Sequence, residues 1–278
     1  MKKSAIAFSV VLILSINLLV AQKTTISLNS LGYQPQSLKK ASIVGEAQTF
    51  LIKRADDQST VFQEKLSAPV FQKDVNQNVF LADFSSLSKE GKYYLELPDG
   101  SKSAVFEISR TVYNQAFYTS MRAFYLWRCG TAVDGIHNGH HYSHEACHLN
   151  DGYEDYQGKP DQKRDGTGGW HDAGDYGKYV VNAGITVGMM FLAWDNFQDK
   201  LKMFKLDLPE TAPGYPDYLK EIKWEIDWLF TMQYTDGSGK VAHKLTRKSF
   251  ESFCKPEEDK EKRYFTDWSS AATADFVG

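Results

Sequence analysis

The chain has 278 residues, of which 42% are hydrophobic, and a formal net charge of −3 from 32 basic and 35 acidic side chains. That length and apolar content suffice for more than one domain core. A charge so near balance gives no electrostatic footprint for nucleic acid and excludes it as a partner, while an aromatic share of 14% fits either an aromatic core or a surface that faces sugars.

Lys2 and Lys3 precede an apolar run from Ala5 to Val20, and Ala21 follows as a small residue for cleavage. The run is shorter than the roughly 20 apolar residues of a spanning helix. Residues 1–21 are therefore read as a secretory signal peptide. No cysteine directly follows the run, which argues against a lipid anchor. The mature protein is expected to be secreted or periplasmic, free of the membrane once the signal is cleaved.

From 22 to 109 the pattern is all-β. Short runs rich in β-branched and aromatic residues recur at Thr25–Leu28, Ala41–Val44, Thr49–Ile52, Asn78–Leu81, Lys92–Leu97 and Ala104–Ile108. Turn formers such as Ala55-Asp56-Asp57-Gln58 and Pro98-Asp99-Gly100-Ser101 separate them. Tyr93, Leu95 and Leu97 alternate with Tyr94 and Glu96, as in a half-buried strand. Short strands at this spacing predict an immunoglobulin-like sandwich, here without cysteines to pin it.

At Thr111 the period changes to helical, with Phe117, Met121, Phe124 and Trp127 on one stripe. A second helix is expected over 178–198, where Gly184 and Gly188 call for close packing because each weakens a helix by about 1 kcal/mol. A third is expected over 216–234, opened by Pro216 at the first helical position and stopped by Asp236-Gly237. Its face Ile222/Ile226/Leu229 is expected to stay exposed without further helices to cover it. Ser269 to Phe276 reads as the start of one more helix, and the ending at Gly278 reads as a truncation.

The segment Gly169-Trp170-His171-Asp172-Ala173-Gly174-Asp175-Tyr176 sets two carboxylates three positions apart among aromatics and glycines. Such a composition makes a tight loop that can aim both at one point. Two ionised carboxylates can hold one water while one of them takes its proton; alternatively the residues only build the turn. Cys129 and Cys147, with His148 and His171, supply the two thiolates and two imidazoles of a closed tetrahedral zinc site. The two cysteines could equally form a disulfide in an oxidising compartment, leaving Cys254 free. His137, His140, His141 and His144 crowd the same segment as competing ligands.

Trp170 to Tyr176, followed by Lys178-Tyr179-Val180, resembles the catalytic-water motif of glycoside hydrolase family nine, the cellulase family of inverting endoglucanases. Asn29-Ser30-Leu31-Gly32-Tyr33-Gln34-Pro35 is similar to the opening of the immunoglobulin-like domain that precedes many of these catalytic domains. Leu208-Pro209-Glu210, Pro216-Asp217, Glu221–Glu225, Met232-Gln233, Ala242–Thr246 and Ser269–Ala274 fit the same pattern. The resemblance implies a multidomain chain: an immunoglobulin-like β-sandwich over 22–109, then, over 110–278, the first part of an all-α (α/α)6 barrel.

By the same resemblance Asp175 is the general base and Asp172 helps hold the water, and the substrate is a β-1,4-glucan, cellulose or a related polysaccharide. The proton donor is a Glu later in the catalytic domain, so these 278 residues alone are expected to be inactive. Trp170 and Tyr176 are expected to stack on glucosyl rings, and His243 to line the cleft. Zinc held by Cys129, Cys147, His148 and His171 is implied as a structural ion that pins the carboxylate loop. Calcium is implied near Glu210 and Asp217, although Lys220 stands where relatives place another acid. A monomer is expected. The competing readings are a non-catalytic glycan-binding protein and a same-family enzyme for xyloglucan or mixed-linkage glucan.

Overall fold

A computed structural model describes residues 24–210, 214–249 and 253–278; the expected signal segment lies outside the described residues. The chain divides into two units between Asn114 and Gln115. In the first, eight strands form two antiparallel sheets: β1 (Thr25–Ser27), β2 (Lys40–Val44), β3 (Thr49–Arg54), β4 (Thr60–Lys65), β5 (Val70–Gln72), β6 (Gln77–Asp83), β7 (Gly91–Glu96) and β8 (Phe106–Ile108). One sheet runs β1-β2-β6-β5 and the other β4-β3-β7-β8. The inward positions Ile43, Phe50, Ile52, Ala82, Phe84, Tyr93, Leu95, Phe106 and Ile108 form one buried core, as the alternation in β7 requires.

Two strands escape the sequence pattern, β4 and β5. β4 carries Thr-Val-Phe-Gln-Glu-Lys and buries none of it fully; as an edge it needs no apolar alternation. The opening motif has a definite job. Gly32 sits at φ +113, and a Cβ there would lie 2.1 Å from the Glu107 carbonyl oxygen, so only glycine allows the Tyr33 amide to reach that carbonyl at 2.8 Å. Tyr33 then packs edge-on against Phe84 and Phe106, and its hydroxyl donates to the Lys40 carbonyl.

The second unit carries α1 (Asn114–Leu126), the hairpin β9 (Val133–His137) and β10 (His140–His144), β11 (Lys178–Tyr179), α2 (Val180–Leu201), α3 (Asp217–Thr231), β12 (Lys244–Thr246), β13 (Tyr264–Phe265) and α4 (Ser270–Val277). The expected helices are all present, with small shifts. Pro216 caps α3 from outside and Asp217 opens it. Lys178 and Tyr179 precede α2 as a strand in the small sheet β11-β12-β13. Gly184 packs against α4, where a Cβ would meet Asp275, but Gly188 faces open space; the close-packing argument holds for only one of the two.

The exposed apolar stripe also differs from expectation. Ile222 and Leu229 are buried in a core with Val180, Val187, Met190, Trp228 and Phe265, because α2 packs on α3. The exposed stripe is instead on α2, at Ile185, Met189 and Leu192. No helix among the described residues is long and apolar enough to cross a membrane.

Candidate active site and metal centre

The loop Gly169–Tyr176 is held from three sides. Its N-terminal end pairs with the residues after α1: the Cys129 amide donates to the Gly169 carbonyl and the His171 amide to the Trp127 carbonyl, both at 2.8 Å. Gly169 lies at φ +73, and a Cβ would sit 2.7 Å from the Trp228 ring, so a glycine is required for the loop to lie on α3. Lys178, fully buried, donates to the carbonyls of Gly166 and Gly168 at 2.6 and 2.8 Å and faces Asp151 at 3.5 Å. A buried ammonium is tolerated because those oxygens replace its water.

From beneath, α3 presents two buried acids. Glu225 accepts the Trp170 amide at 2.6 Å, and Glu221 accepts the Trp170 indole N–H at 2.8 Å. Arg128 grips Glu221 with Nε and Nη2 at 3.2 and 2.9 Å and reaches Glu210 with Nη1. Burial pushes Glu225 up to about 8, with no cation near enough to offset it fully. Burial also raises Glu221, and Arg128 opposes that rise.

The two carboxylates of the motif face outward. Asp172 is exposed and Asp175 half-buried. Each carries a neutral donor: Asn182 Nδ2 on Asp172 Oδ1 at 2.7 Å, and the Tyr179 hydroxyl on Asp175 Oδ2 at 2.9 Å. Burial, and then the bond to Asp175, push Tyr179 up to about 12, so it stays a donor. Asp172 opens on a cavity of about 260 Å³ lined also by Phe124, Trp127, Trp170, Tyr179 and Asn182. An aromatic-walled cavity with one carboxylate at its edge suits a sugar ring and a water.

His171, next in sequence to Asp172, is buried and also borders the cavity. It gathers with Cys129, Cys147 and His148 so that their four ligand atoms lie within 4.8 Å of one another. Neither cysteine is in a disulfide here. The donor chemistry fits a metal ion. His148 Nδ1 is buried and has no hydrogen-bond partner among the described residues. Burial holds His171 down at about 3, so its imidazole is neutral. Burial raises the Cys129 thiol, but the Cys147 hydrogen bond and the Lys178 charge outweigh it and hold the thiol well below its ordinary value. Cys147 is raised, by that same hydrogen bond and by burial. A lowered thiol beside a neutral imidazole is a donor set that a cation would bind. The other histidines are not part of this group: His137, His140, His141 and His144 lie on the β9–β10 hairpin, and the His144 ring centroid is 6.5 Å from that of His171.

The calcium expectation does not fit. Among the described residues, Lys220 Nζ donates to Asp217 Oδ1 at 2.9 Å and to the Glu210 carbonyl at 3.0 Å, and the Glu210 side chain is taken by Arg128. An ammonium stands where a divalent ion would have to.

The stacking candidates are placed unequally. Trp170 is 8% exposed, both its N–H groups are engaged by α3, and it lines the cavity. Tyr176 lies at φ +54; its ring packs on His171 and His148 and its hydroxyl donates to the Cys254 carbonyl. Both side chains help hold the loop, and of the two Trp170 lines the cavity. His243 is half-buried with its ring edge-on to Tyr179. Sequence reasoning missed Asn182, Tyr179, Glu221, Glu225 and Asp259. Tyr179 and Glu221–Glu225 stand in segments that fit the family pattern without a site role being read from them, and Asn182 follows the motif within two helical turns.

The glycosyl hydrolase family 9 description matches residues 113–278, and the cellulase N-terminal ig-like domain matches residues 21–110. Endoglucanase D of Acetivibrio thermocellus is 51% identical over 252 residues, which is 91% of this chain and 40% of that protein. The crystal structure of a metagenome-derived glycoside hydrolase family 9 endoglucanase superposes with a TM-score of 0.81 at 34% identity, over 91% of this chain and 48% of that one. A zinc-binding triple mutant of another family 9 endoglucanase gives a TM-score of 0.78 at 31% identity, over 88% of this chain and 46% of that one. The chain therefore spans less than half the length of each of these relatives. With its N-terminal immunoglobulin-like domain and the matched region that follows it, the chain belongs to glycosyl hydrolase family 9.

Proposed function

We propose that the chain is the N-terminal part of a secreted endo-β-1,4-glucanase that hydrolyses cellulose or a related β-glucan with inversion. The observation that carries this reading is the outward pair Asp172 and Asp175, each steadied by a neutral donor instead of a cation. Lone pairs not taken by a cation remain for a water, as a base requires.

Asp175 is the general base and Asp172 holds the water. The water gives its proton to Asp175 while its oxygen attacks the anomeric carbon. The bond to the leaving sugar oxygen breaks, and that oxygen takes a proton from a carboxylic acid on the opposite side. Inversion needs the two carboxyl groups roughly 6.5–9.5 Å apart across the bond, so one loop does not supply both. We place the acid in the region of the relatives that this chain does not span. Trp127, 40% exposed at the cavity wall, and His243 serve the sugar.

Cys129, Cys147, His148 and His171 would hold zinc. When bound, that ion supplies a structural cross-link at the base of the loop, and the reacting atoms lie on the loop's other face. The test is the full-length enzyme on a panel of cellulose, mixed-linkage glucan and xyloglucan, with the anomeric product followed by NMR. Release of reducing ends with the inverted anomer formed first is expected. A retained anomer overturns the mechanism. Binding without hydrolysis would instead mean a glycan-binding protein.

A further inference from the structure

The segment after β12 reads in the sequence as a charged loop, Lys255 to Arg263, with no assigned role. Its one buried acid is Asp259, whose side chain has no exposed surface. Both of its oxygens are used. Oδ1 accepts from Arg247 Nη1 at 2.9 Å and from the Glu261 amide at 3.3 Å; Oδ2 lies 3.3 Å from His148 Nε2. Arg247 is itself buried.

We propose that Asp259, braced by Arg247, is the positioning residue for the metal ligand His148, and that through it the segment 253–259 is fastened to the loop carrying Asp172 and Asp175. The proposal rests on reading the cluster as a zinc site.

A carboxylate that accepts the Nε2 proton fixes the imidazole in one tautomer and leaves Nδ1 as the proton-free nitrogen. Nδ1 of His148 is buried and has no hydrogen-bond partner among the described residues, and His148 belongs to the four-residue cluster. His171 is set the opposite way round. Its Nδ1 lies 3.2 Å from the Tyr176 carbonyl and its Nε2 3.4 Å from Cys147 Sγ. One ligand is thus oriented by the carboxylate loop's own backbone, the other by a side chain 111 positions away. The segment is fastened at its other end too, where the Cys254 carbonyl accepts the Tyr176 hydroxyl. Phe253 lies against Gly174, between the two carboxylates in sequence, so closely that a Cβ there would meet its ring at 2.8 Å.

The experiment compares zinc affinity in full-length wild type, Asp259→Asn, Asp259→Leu and Arg247→Met, by competition with a chromophoric chelator. Near-UV circular dichroism at saturating zinc checks each fold. Loss of an outer partner of a metal-bound histidine costs about 10–100-fold in affinity. We expect Asp259→Leu at the upper end and the other two at the lower. Cobalt substituted for zinc should keep its thiolate charge-transfer band in Asp259→Asn, since the four ligands remain. If Asp259→Leu does not fold, Arg247→Met, which leaves the carboxylate in place but unbraced, carries the test. Folded Asp259→Asn and Arg247→Met that both bind zinc within twofold of wild type overturn the proposal while leaving the zinc site intact. A wild type that binds no zinc overturns the site itself, and this proposal with it.

Discussion

His171 and Asp172 are neighbours in the chain and opposites in environment. On the His171 side every polar group is buried and most face a charge: Lys178 and Arg263 on Asp151, Arg247 on Asp259, Arg128 on Glu221. On the Asp172 side one carboxylate is exposed and the other half-buried, and the side-chain donors on them are neutral. One loop therefore has a face that is fixed and a face that is free to react. Fixed dipoles and buried ion pairs resist movement because breaking one leaves an uncompensated charge, and a base must keep free lone pairs. If the division is real, substitutions on the two faces should have separable effects.

The largest effect should come from the open face. Asp175→Asn in the full-length protein keeps the shape and the Tyr179 contact but removes the proposed base. Loss of general-base catalysis is worth roughly 10²–10⁴-fold in kcat. KM and zinc content should not move. A variant that loses zinc along with activity would mean that the two faces are not independent.

The buried face should answer in stability. A ligand present at 100 times its Kd stabilises by about 2.7 kcal/mol, and each kcal/mol is worth about 2–4 °C in a chain of 150–250 residues. Chelating the metal should therefore lower the Tm of wild type by several degrees, and Cys147→Ser should already show the lower Tm and no further response to chelator. Equal chelator responses in both proteins would place the metal elsewhere.

Much of this division was legible in the sequence, and the reason it was only half legible is physical. The carboxylates and their glycines lie within eight residues, so composition alone announces a loop. The helices were legible because each buries one stripe of its own turn. The supports of the loop are different. Glu225 is 55 positions from the amide that it accepts, and Asp259 is 111 from His148. Nothing local distinguishes Asp259 from the exposed acids around it. The β9–β10 hairpin is a different kind of miss, since its turn was in view: Asn138 and Gly139 both take positive φ, which is the strongest two-residue hairpin signal. The crowd of histidines drew attention to metal chemistry instead.

Glu225 tests the support from below. Burial lifts it from an ordinary 4.5 to about 8. Between those values the folded protein keeps a proton that the unfolded chain releases, so the stability from this group is full below about 4.5 and is lost as the pH rises through about 8. Glu225→Gln carries no such proton yet still accepts the Trp170 amide. Relative to wild type it should gain roughly 4 kcal/mol in urea unfolding between pH 5 and 9, an order-of-magnitude figure from the shift. A difference that does not change with pH would mean that the carboxyl is ionised in the fold.

The smallest effect is the sharpest test of the open face. Tyr179→Phe removes a single hydrogen bond, 2.9 Å long, from Asp175. A hydrogen bond to a charged group contributes about 1.5–3 kcal/mol when buried, and Asp175 is half-exposed, so about 1 kcal/mol, or fivefold in kcat, is the expected loss. Asn182→Ala should act similarly through Asp172. Both should leave zinc affinity and Tm within error, because neither side chain touches the buried network. If Tyr179→Phe loosens zinc as well, Asp175 and His171 move together, and the loop has one mechanical state instead of two independent faces.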